Sequence, residues 1–349
     1  MNRSAMNDLL TMTKSELLAL TEELGVPAYR ASQVMAHVNR GEAPHEMTTL
    51  PLSLRTALAE KTVWRLPTVE KKQISQKDGT VKYLMRLFDG ECVESVLMSY
   101  KHGYSLCISC QVGCRMGCRF CASTLGGRVR NLYASEMLGQ VIAAQKDAGV
   151  RVASIVMMGI GEPLDNYDET VKFLRRVTSP ESLNIGARHI SLSSCGLVPA
   201  IRRLAEEELA ITLSISLHAA TDEARSEIMP INRKYGLDEL LTAASDYFRT
   251  TGRRISFEYT LLAGKNDTDA DAERLASLLH RYLDPAPIHV NLIRVNEVEE
   301  TEYRHGTKKS AEAFAYALQK RGVNATLRRR LGDDVDAACG QLRRKSQNM

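Results

Sequence analysis

The amino-acid sequence predicts an α/β protein: a partial, TIM-like (β/α)6 barrel preceded by a small helical domain and a β-ribbon. Two observations support this prediction. Six short apolar runs rich in β-branched residues alternate with longer amphipathic stretches, and the chain before them has a different pattern. Such alternation indicates right-handed βαβ units in a parallel sheet whose strands are buried on both faces. Six strands are too few to close an eight-stranded barrel, so we expect a partial one.

The N-terminal part divides into two segments. Leucines at helical spacing, and the stretch "GVPAYRASQ" between further helical patterns, predict a helical accessory domain over residues 1–70. Residues 71–99 alternate like a hairpin with a turn near Asp78 and Gly79, which predicts a β-ribbon connection. We expect the barrel core over residues 100–335 and a C-terminal segment over residues 336–349.

The strands and helices of the predicted barrel follow one another along the core. The strands are "YSLCIS", "VASIVMMG", "RHISLSS", "LAITLSISLH", "RISFEYTLL" and "IHVNLIRVN". The helical segments cover about 134–148, 167–177, 198–207, 237–251, 270–283 and 308–321. Crossover connections of this length are what neighbouring parallel strands require.

Polar residues and a glycine follow several of these strands: Gly161, Glu162, Ser193, Ser194, Ser216, His218 and Asn296. Because the carboxyl ends of parallel barrel strands meet at one mouth, these residues predict one binding site there. Taken singly, two of them have alternative interpretations. Glu162 could be a neighbour of a helix N-cap, and His218 could be a core histidine with satisfied hydrogen bonds.

The composition is that of an ordinary globular protein, with 44% hydrophobic and 25% charged residues and no apolar run long enough to cross a bilayer. The start of the chain lacks the apolar stretch and cleavage site of a secretory signal. We therefore expect a cytoplasmic protein that binds no membrane. In that reducing compartment the eight cysteines are expected to be metal ligands or reactive thiols rather than disulfides.

Five of the cysteines are clustered in "CISCQVGCRMGCRFC", where Cys114, Cys118 and Cys121 have the spacing C-x3-C-x2-C. A structural zinc site typically uses two separated pairs of ligands, and no second pair follows here. An iron–sulfur cluster bound by four cysteines would need one more, and Cys110 could serve. With three thiolates, a [4Fe–4S] cluster keeps one iron open to another ligand, and an open iron permits chemistry.

The net charge of +4 is only mildly basic, but the charge is unevenly distributed. Residues 95–135 contain no acidic side chain, and five basic residues lie there: Lys101, Arg115, Arg119, Arg128 and Arg130. A one-sided charge of this kind suits a polyanion that approaches the cysteine loop. The alternative is a solvated loop whose arginines cap helix ends.

Two motifs, "CQVGCRMGCRFCAST" and "MGIGEP", together with the partial-barrel pattern, resemble those of radical S-adenosylmethionine (SAM) enzymes. The stretches "MGIGEPLDN", "SLHA", "MPINRKY" and "GDDVDAACGQL" are more specifically similar to the RlmN type of the RlmN/Cfr family. The resemblance covers nearly the whole chain. It implies a radical SAM barrel and a methyltransferase that modifies carbon 2 of adenine in 23S ribosomal RNA and in the anticodon loop of tRNA.

The resemblance also implies roles for individual residues. Cys114, Cys118 and Cys121 are implied as ligands of a [4Fe–4S] cluster. The SAM pocket is implied to contain Gly161, Glu162, Ser193, Ser216, Leu217, His218 and Asn296. Cys339 is implied as the methyl-carrying cysteine, Cys107 as the thiol that resolves the intermediate, and Glu94 as the proton acceptor. Cys110 stands where the family usually has serine, and we expect it to be a bystander.

Cofactors and partners follow from the same resemblance. It implies a [4Fe–4S] cluster, two SAM molecules per turnover, 23S rRNA and tRNA as substrates, and an electron-donor protein such as flavodoxin or ferredoxin. A monomer and an RNA-binding role for the N-terminal domain are expected. The alternatives are a Cfr-type methyltransferase acting on carbon 8, a non-catalytic iron–sulfur or zinc RNA-binding protein, and a radical enzyme with another substrate. The distal Cys339 among small residues argues against a binding module, which needs no such thiol.

Overall fold

A computed structural model describes residues 7–284, 287–295, 301–332, 334–335 and 342–343 of the 349-residue chain. The first helical part of the chain contains these elements: β1 (Asn7–Asp8), α1 (Lys14–Glu23), α2 (Tyr29–Asn39), α3 (Leu52–Lys61) and β2 (Thr62–Val63). Then come four strands that run back and forth: β3 (Thr68–Ile74), β4 (Val81–Arg86), β5 (Cys92–Tyr100) and β6 (Gly103–Cys107). A small ribbon, β7 (Gln111–Gly113) with β8 (Arg128–Asn131), encloses the cysteine loop.

Alternating helices and strands make up the rest of the described chain. In order they are α4 (Ala134–Ala148), β9 (Val152–Met157), α5 (Tyr167–Thr178), β10 (Ile190–Ser194), α6 (Val198–Ala205), β11 (Thr212–Ser216), α7 (Asp222–Ile228), α8 (Leu237–Thr251), β12 (Ile255–Leu261), α9 (Asp269–Leu283), β13 (His289–Arg294), α10 (Lys308–Lys320) and β14 (Asn324–Leu327). No helix within the described ranges has both the length and the apolar character needed to span a membrane.

One sheet of ten strands organises the molecule, in the order β14-β13-β12-β11-β10-β9-β6-β5-β4-β3. The strands β6 and β9 to β14 are parallel, and β5, β4 and β3 extend the sheet with antiparallel strands. The predicted partial barrel is confirmed. It has one more parallel strand than predicted, because β14 is only a four-residue run after α10.

The predicted β-ribbon is present, but it is a continuous extension of the barrel sheet rather than a separate connection. Its last strand, β5, pairs along its length with β6, so that Val96 lies opposite Cys107. The same row of the sheet continues from Cys107 to Val156 in β9 and from Val96 to Lys82 in β4. Residues of the ribbon therefore share a sheet face with residues of the barrel.

The two faces of the parallel strands differ in polarity. Leu192, Leu213, Ile215 and Leu292 are fully buried on the face covered by helices. Successive side chains of a strand point to opposite faces of the sheet. The face opposite these leucines and isoleucine carries polar side chains: Ser191, Ser193, Ser214, Ser216, Glu258 and Asn291. Across it Asn291 Nδ2 donates to Glu258 Oε2 over 2.7 Å. The prediction of strands buried on both faces is confirmed for β12, which is buried at every position, but the inner face is lined with polar rather than apolar side chains.

Gly139 fixes the distance between helix α4 and the chain that enters the ribbon. A Cβ atom at Gly139 would lie 2.3 Å from Pro67 Cδ, much closer than van der Waals contact allows. Helix α4 therefore packs against Pro67 at a position that has no side chain. This contact joins the first barrel helix to the end of the N-terminal segment.

Replacing Gly139 with Ala should lower the free energy of unfolding by about 1–3 kcal/mol, because overpacking outweighs the better helix propensity of Ala. Urea unfolding followed by circular dichroism measures the change. Gly126→Ala is the matched control, since its Cβ would meet no atom within 4 Å. A Gly139→Ala protein as stable as the wild type would contradict this packing.

Candidate active site

The cysteine loop is held at its base by the β7–β8 ribbon. Gly113 has φ of +76°, and a Cβ atom there would lie 2.0 Å from the carbonyl oxygen of Gly127, so only glycine fits. The next residue, Cys114, donates its N–H to that same oxygen over 2.9 Å. Farther along, the N–H of Arg119 donates to the carbonyl of Ile228 over 2.9 Å, which docks the loop on the end of α7.

The three cysteines predicted to bind a cluster lie close enough to influence one another electrostatically. Burial raises the pKa of the Cys114 thiol to about 12, and the neighbouring Cys121 adds to this. Burial, and then Cys121 and Cys114, raise the pKa of Cys118 well above its usual range. Such thiols become thiolates only when a cation compensates their charge, as a bound metal does.

The donor set at these cysteines fits an iron–sulfur cluster. Cys118 packs against an apolar cluster that includes Met229 and Leu262, and soft thiolate donors in apolar surroundings favour iron–sulfur or zinc. Among the described residues, no group of three His, Cys, Asp or Glu side chains forms a ready-made site for a single metal ion.

Cys110 differs from these three in its surroundings, although burial, then Glu162 and then Cys114 raise the pKa of its thiol. Its thiol is buried in the main hydrophobic core, and its Sγ lies 3.7 Å from the carbonyl oxygen of Ile160. A Cβ atom at Gly161 would approach that sulfur to 2.8 Å, so the two residues pack directly on each other. This position supports a packing role for Cys110 beneath the turn that leads to Glu162.

Glu162 connects the ends of two neighbouring strands. Its Oε2 accepts the N–H of Cys195, just after β10, over 2.7 Å, and its Oε1 accepts the N–H of Leu164 over 3.0 Å. The second bond makes Glu162 itself the N-cap of the 3₁₀ turn Pro163–Asn166, rather than a neighbour of an N-cap. Its own N–H donates to Gln111 Oε1. Burial raises the pKa of this carboxyl group.

The predicted pocket residues of β10 and β11 lie side by side. Ser193 Oγ and Ser216 Oγ are 3.4 Å apart on the polar face. His218 follows with φ of +60°, and its Nδ1 accepts the N–H of Thr260 over 2.9 Å. Burial lowers the pKa of His218 to about 3, so its ring is neutral at physiological pH. Phe120 of the cysteine loop packs edge-on against this ring, with centroids 5.0 Å apart.

A buried arginine that the sequence analysis did not identify organises these strand ends. Arg225 in α7 donates to the carbonyl oxygens of Cys195 (2.7 Å), Ser216 (3.0 Å) and Leu217 (3.0 Å). Its Nη1 also donates to Asn232 Oδ1 over 2.9 Å, which explains the asparagine of "MPINRKY". The sequence signal was weak, because α7 is only seven residues long and was not predicted as a helix.

Glu94 and Cys107 lie on the polar face of the sheet, on the side toward the ribbon. Glu94 is buried on β5, and its Oε2 lies 2.7 Å from Nζ of Lys82, a fully buried lysine that the sequence analysis also missed. Cys107 is buried one strand farther along, between Val96 and Val156 in the row described above. The structure thus places the predicted proton acceptor and the predicted resolving thiol on neighbouring strands.

Two predicted site residues, Asn296 and Cys339, lie outside the described residues. The described residues on either side of Cys339 contact the ribbon. On one side, Asp334 accepts from Ser75 Oγ (2.6 Å) and from the N–H of Gln76 (2.8 Å). On the other, the N–H of Arg343 donates to Glu94 Oε1 over 2.7 Å.

The arginines of the cysteine loop are paired with acids from other segments. Asp165, in the "GEPLDN" motif, accepts from both Arg115 and Arg128, the latter over 2.8 Å. Arg130 pairs with Glu136 over 2.7 Å and with Asp89 over 2.6 Å. Much of the positive charge of residues 95–135 is therefore neutralised within the protein, and the expectation of a one-sided charge does not hold for these arginines.

Lys82→Met and Glu94→Gln should each lower the free energy of unfolding by about 3–5 kcal/mol, because each removes one member of a buried ion pair. The double variant should recover part of that loss. Urea unfolding of the three variants gives the coupling energy. Lys61→Met, which breaks an exposed pair with Glu23, is the matched control and should cost less than about 1 kcal/mol. Losses that simply add in the double variant would argue against the pair.

Comparison with known proteins identifies the family. A model of the radical SAM superfamily matches residues 108–279. Two curated relatives are both named "Probable dual-specificity RNA methyltransferase RlmN". The relative from Alkaliphilus metalliredigens (strain QYMF) is 48% identical over 97% of this chain and 95% of its own length. The relative from Clostridium perfringens (strain 13 / Type A) is 49% identical over 97% of each chain.

A solved structure is similar over the same extent. The crystal structure of a radical SAM methyltransferase from Sphaerobacter thermophilus superposes with a TM-score of 0.90 and 41% identity, covering 96% of this chain and 98% of its own. The family expected from the motifs is thereby confirmed. This chain belongs to the RlmN family of radical SAM RNA methyltransferases.

Proposed function

We propose that this methyltransferase modifies carbon 2 of a specific adenine in 23S rRNA and of an adenine in the tRNA anticodon loop. The observation that carries the proposal is the arrangement at one face of the sheet. Glu94 and Cys107 lie on neighbouring strands, and the described residue Arg343, four positions after Cys339, donates its N–H to Glu94. This arrangement supports Glu94 as the proton acceptor and Cys107 as the resolving thiol, with a described residue close to Cys339 in the sequence bonded to Glu94.

The cofactors follow from the residues that surround this face. Cys114, Cys118 and Cys121 would hold a [4Fe–4S] cluster. SAM would occupy the strand ends at Gly161, Glu162, Ser193 and Ser216 to His218, together with Asn296. When bound, these groups supply one-electron cleavage of one SAM molecule and the methyl group of a second, so two are used per turnover. The electron would come from a donor such as flavodoxin or ferredoxin.

The chemistry of the substrate explains why a cysteine must carry the methyl group. Carbon 2 of adenine lies between two ring nitrogens and is electron-poor, so it does not attack an electrophilic methyl group. A thiolate does, because sulfur is a strong nucleophile. In the proposed first step, the sulfur of Cys339 forms a bond to the methyl carbon, and the bond from that carbon to the SAM sulfonium breaks. The protein then holds the one-carbon unit on a side chain.

Release of the product requires a base and a second thiol. For the carbon on Cys339 to bond to the adenine, its methyl group must lose a hydrogen atom, which the radical formed from the bound cofactor would accept. The resulting adduct must also lose one electron, which the cluster would take back. Glu94 then accepts the proton from carbon 2. Lys82 and the N–H of Arg343 orient its carboxylate for this transfer. The Cys107 thiolate attacks the Cys339 sulfur, the sulfur–carbon bond breaks, and the electron pair and a proton complete the methyl group. The resulting disulfide must then be reduced by an external thiol.

Small loops and a small auxiliary domain fit a monomeric enzyme that approaches folded RNA. The target adenine has to leave its base stack before a buried side chain can reach carbon 2. We propose that the N-terminal helical domain contributes to RNA binding and that the barrel mouth receives the extruded base. No residue outside one chain is required by this scheme.

The direct test is analysis of RNA from cells with and without this gene, digested to nucleosides and examined by mass spectrometry. We expect 2-methyladenosine in rRNA and tRNA only when the gene is present. The appearance of 8-methyladenosine instead would replace this proposal with Cfr-type chemistry. RNA without either nucleoside would overturn the proposed activity.

Cys107→Ala should complete bond formation to RNA and stop there, because the residue that acts last accumulates the intermediate. Denaturing gels should show a covalent protein–RNA band for this variant and none for the Cys107/Cys339 double variant. Cys92→Ala, on the same strand as Glu94, is the control thiol and should turn over normally. Normal turnover by Cys107→Ala, or an adduct trapped by Cys339→Ala, would show that the assigned roles are wrong.

Iron content separates Cys110 from the three proposed ligands. Anaerobically purified wild-type protein should be brown and contain close to one cluster, and Cys110→Ser should contain the same amount, because its sulfur packs on Ile160 and Gly161. Cys114→Ser should lose most of its iron. Equal loss from both variants, measured by iron analysis and visible absorption, would show that four cysteines close the cluster.

A further inference from the structure

Two aromatic rings are exposed together at the edge of the site. Phe88, in the turn after β4, and Tyr133, just before α4, are 56% and 38% exposed, and their ring centroids are 6.1 Å apart. Exposed apolar groups gathered in this way mark a binding surface more often than isolated ones do.

Two arginine guanidiniums lie against these rings. The Arg65 guanidinium lies 4.3 Å from the centroid of Tyr133 and 5.2 Å from that of Phe88, and Arg130 lies 5.1 Å from that of Phe88. Both guanidiniums are fixed by ion pairs, Arg65 to Asp8 at 2.7 Å and Arg130 as described above. The rings are therefore held in place by ion-paired guanidiniums, which lowers the cost of ordering them when a planar ligand stacks on them.

The position of these rings relates them to the proposed chemistry. Strand β5 is antiparallel to β6, so the start of β5 lies beside the carboxyl end of β6, where Cys107 is found. Phe88 lies in the turn that leads into β5 and precedes Glu94 by six residues. Tyr133 follows β8, which pairs with β7 directly before Cys114. The two rings thus lie at the barrel mouth, between the Glu94 strand and the cysteine loop.

We propose that Phe88 and Tyr133 form a stacking platform for unpaired RNA bases next to the target adenine. This inference rests on the proposed function, in which an adenine is drawn out of its stack and its neighbours lose a stacking partner. Aromatic side chains replace such partners in many single-strand binding proteins. The acids paired with Arg65 and Arg130 balance their charge, so the platform recognises base faces rather than phosphates.

Binding of a short RNA stem-loop with 2-aminopurine next to the target adenine tests the platform. Phe88→Ala and Tyr133→Ala should each weaken binding roughly 5- to 100-fold and relieve quenching of the 2-aminopurine. The salt dependence of binding should keep the wild-type slope, because no phosphate contact is lost. Phe88→Trp and Tyr133→Phe should restore affinity and quenching, which also shows that the loss is not misfolding.

Tyr316→Ala is the matched control, since Tyr316 is 58% exposed on α10 with Lys320 Nζ 4.7 Å from its ring centroid. It should bind RNA like the wild type. Wild-type affinity and quenching in both alanine variants would overturn the platform. Unchanged RNA binding with slower cluster reduction by purified flavodoxin would also overturn it and assign the surface to a protein. Wild-type protein that binds this RNA but forms no 2-methyladenosine would refute the proposed function separately.

Discussion

The buried guanidinium of Arg225 is the interaction on which the geometry of the strand ends depends. A charge without solvent is costly unless hydrogen bonds compensate it, and Arg225 donates to three carbonyls and to Asn232. Those carbonyls belong to Cys195, Ser216 and Leu217, which lie at the ends of β10 and β11. A single side chain thus fixes the turns from which Ser216 and His218 project. The same helix, α7, receives the cysteine loop at Ile228.

On the other side of the barrel mouth, two carboxylates also connect neighbouring segments through hydrogen bonds. Glu162 bridges the ends of β9 and β10 through backbone N–H groups, and Asp165 gathers two arginines of the cysteine loop. Neither group is left as a solvent-exposed charge. The turn "GEPLDN" therefore orders its surroundings as well as contributing to the predicted SAM pocket. Cys110 and Gly161 form the close-packed base of that turn.

Sequence patterns could predict what depends on local periodicity and spacing. They predicted the partial barrel, six of its helices and the C-x3-C-x2-C loop, because each of these is contained in a short stretch of chain. They could not predict β14, which is too short to show a period, or the pairing of Lys82 with Glu94, which depends on strand register. Arg115 looked unpaired because its partner, Asp165, is 50 residues away. A contact between residues so far apart in the sequence is set by the fold, and no spacing within the sequence reveals it.

Hydrogen bonds join the ribbon to the described residues on both sides of Cys339, so the ribbon does more than extend the barrel sheet. Asp334 is fixed at the β3–β4 turn and Arg343 at Glu94, so two residues nine positions apart in the sequence are both held on the ribbon part of the sheet. Under the roles proposed above for Cys339 and Cys107, these two anchor points limit how far the intervening chain can reach, and they make the encounter of the two thiols intramolecular. The spacing of the anchor points then bears on the rate of that encounter.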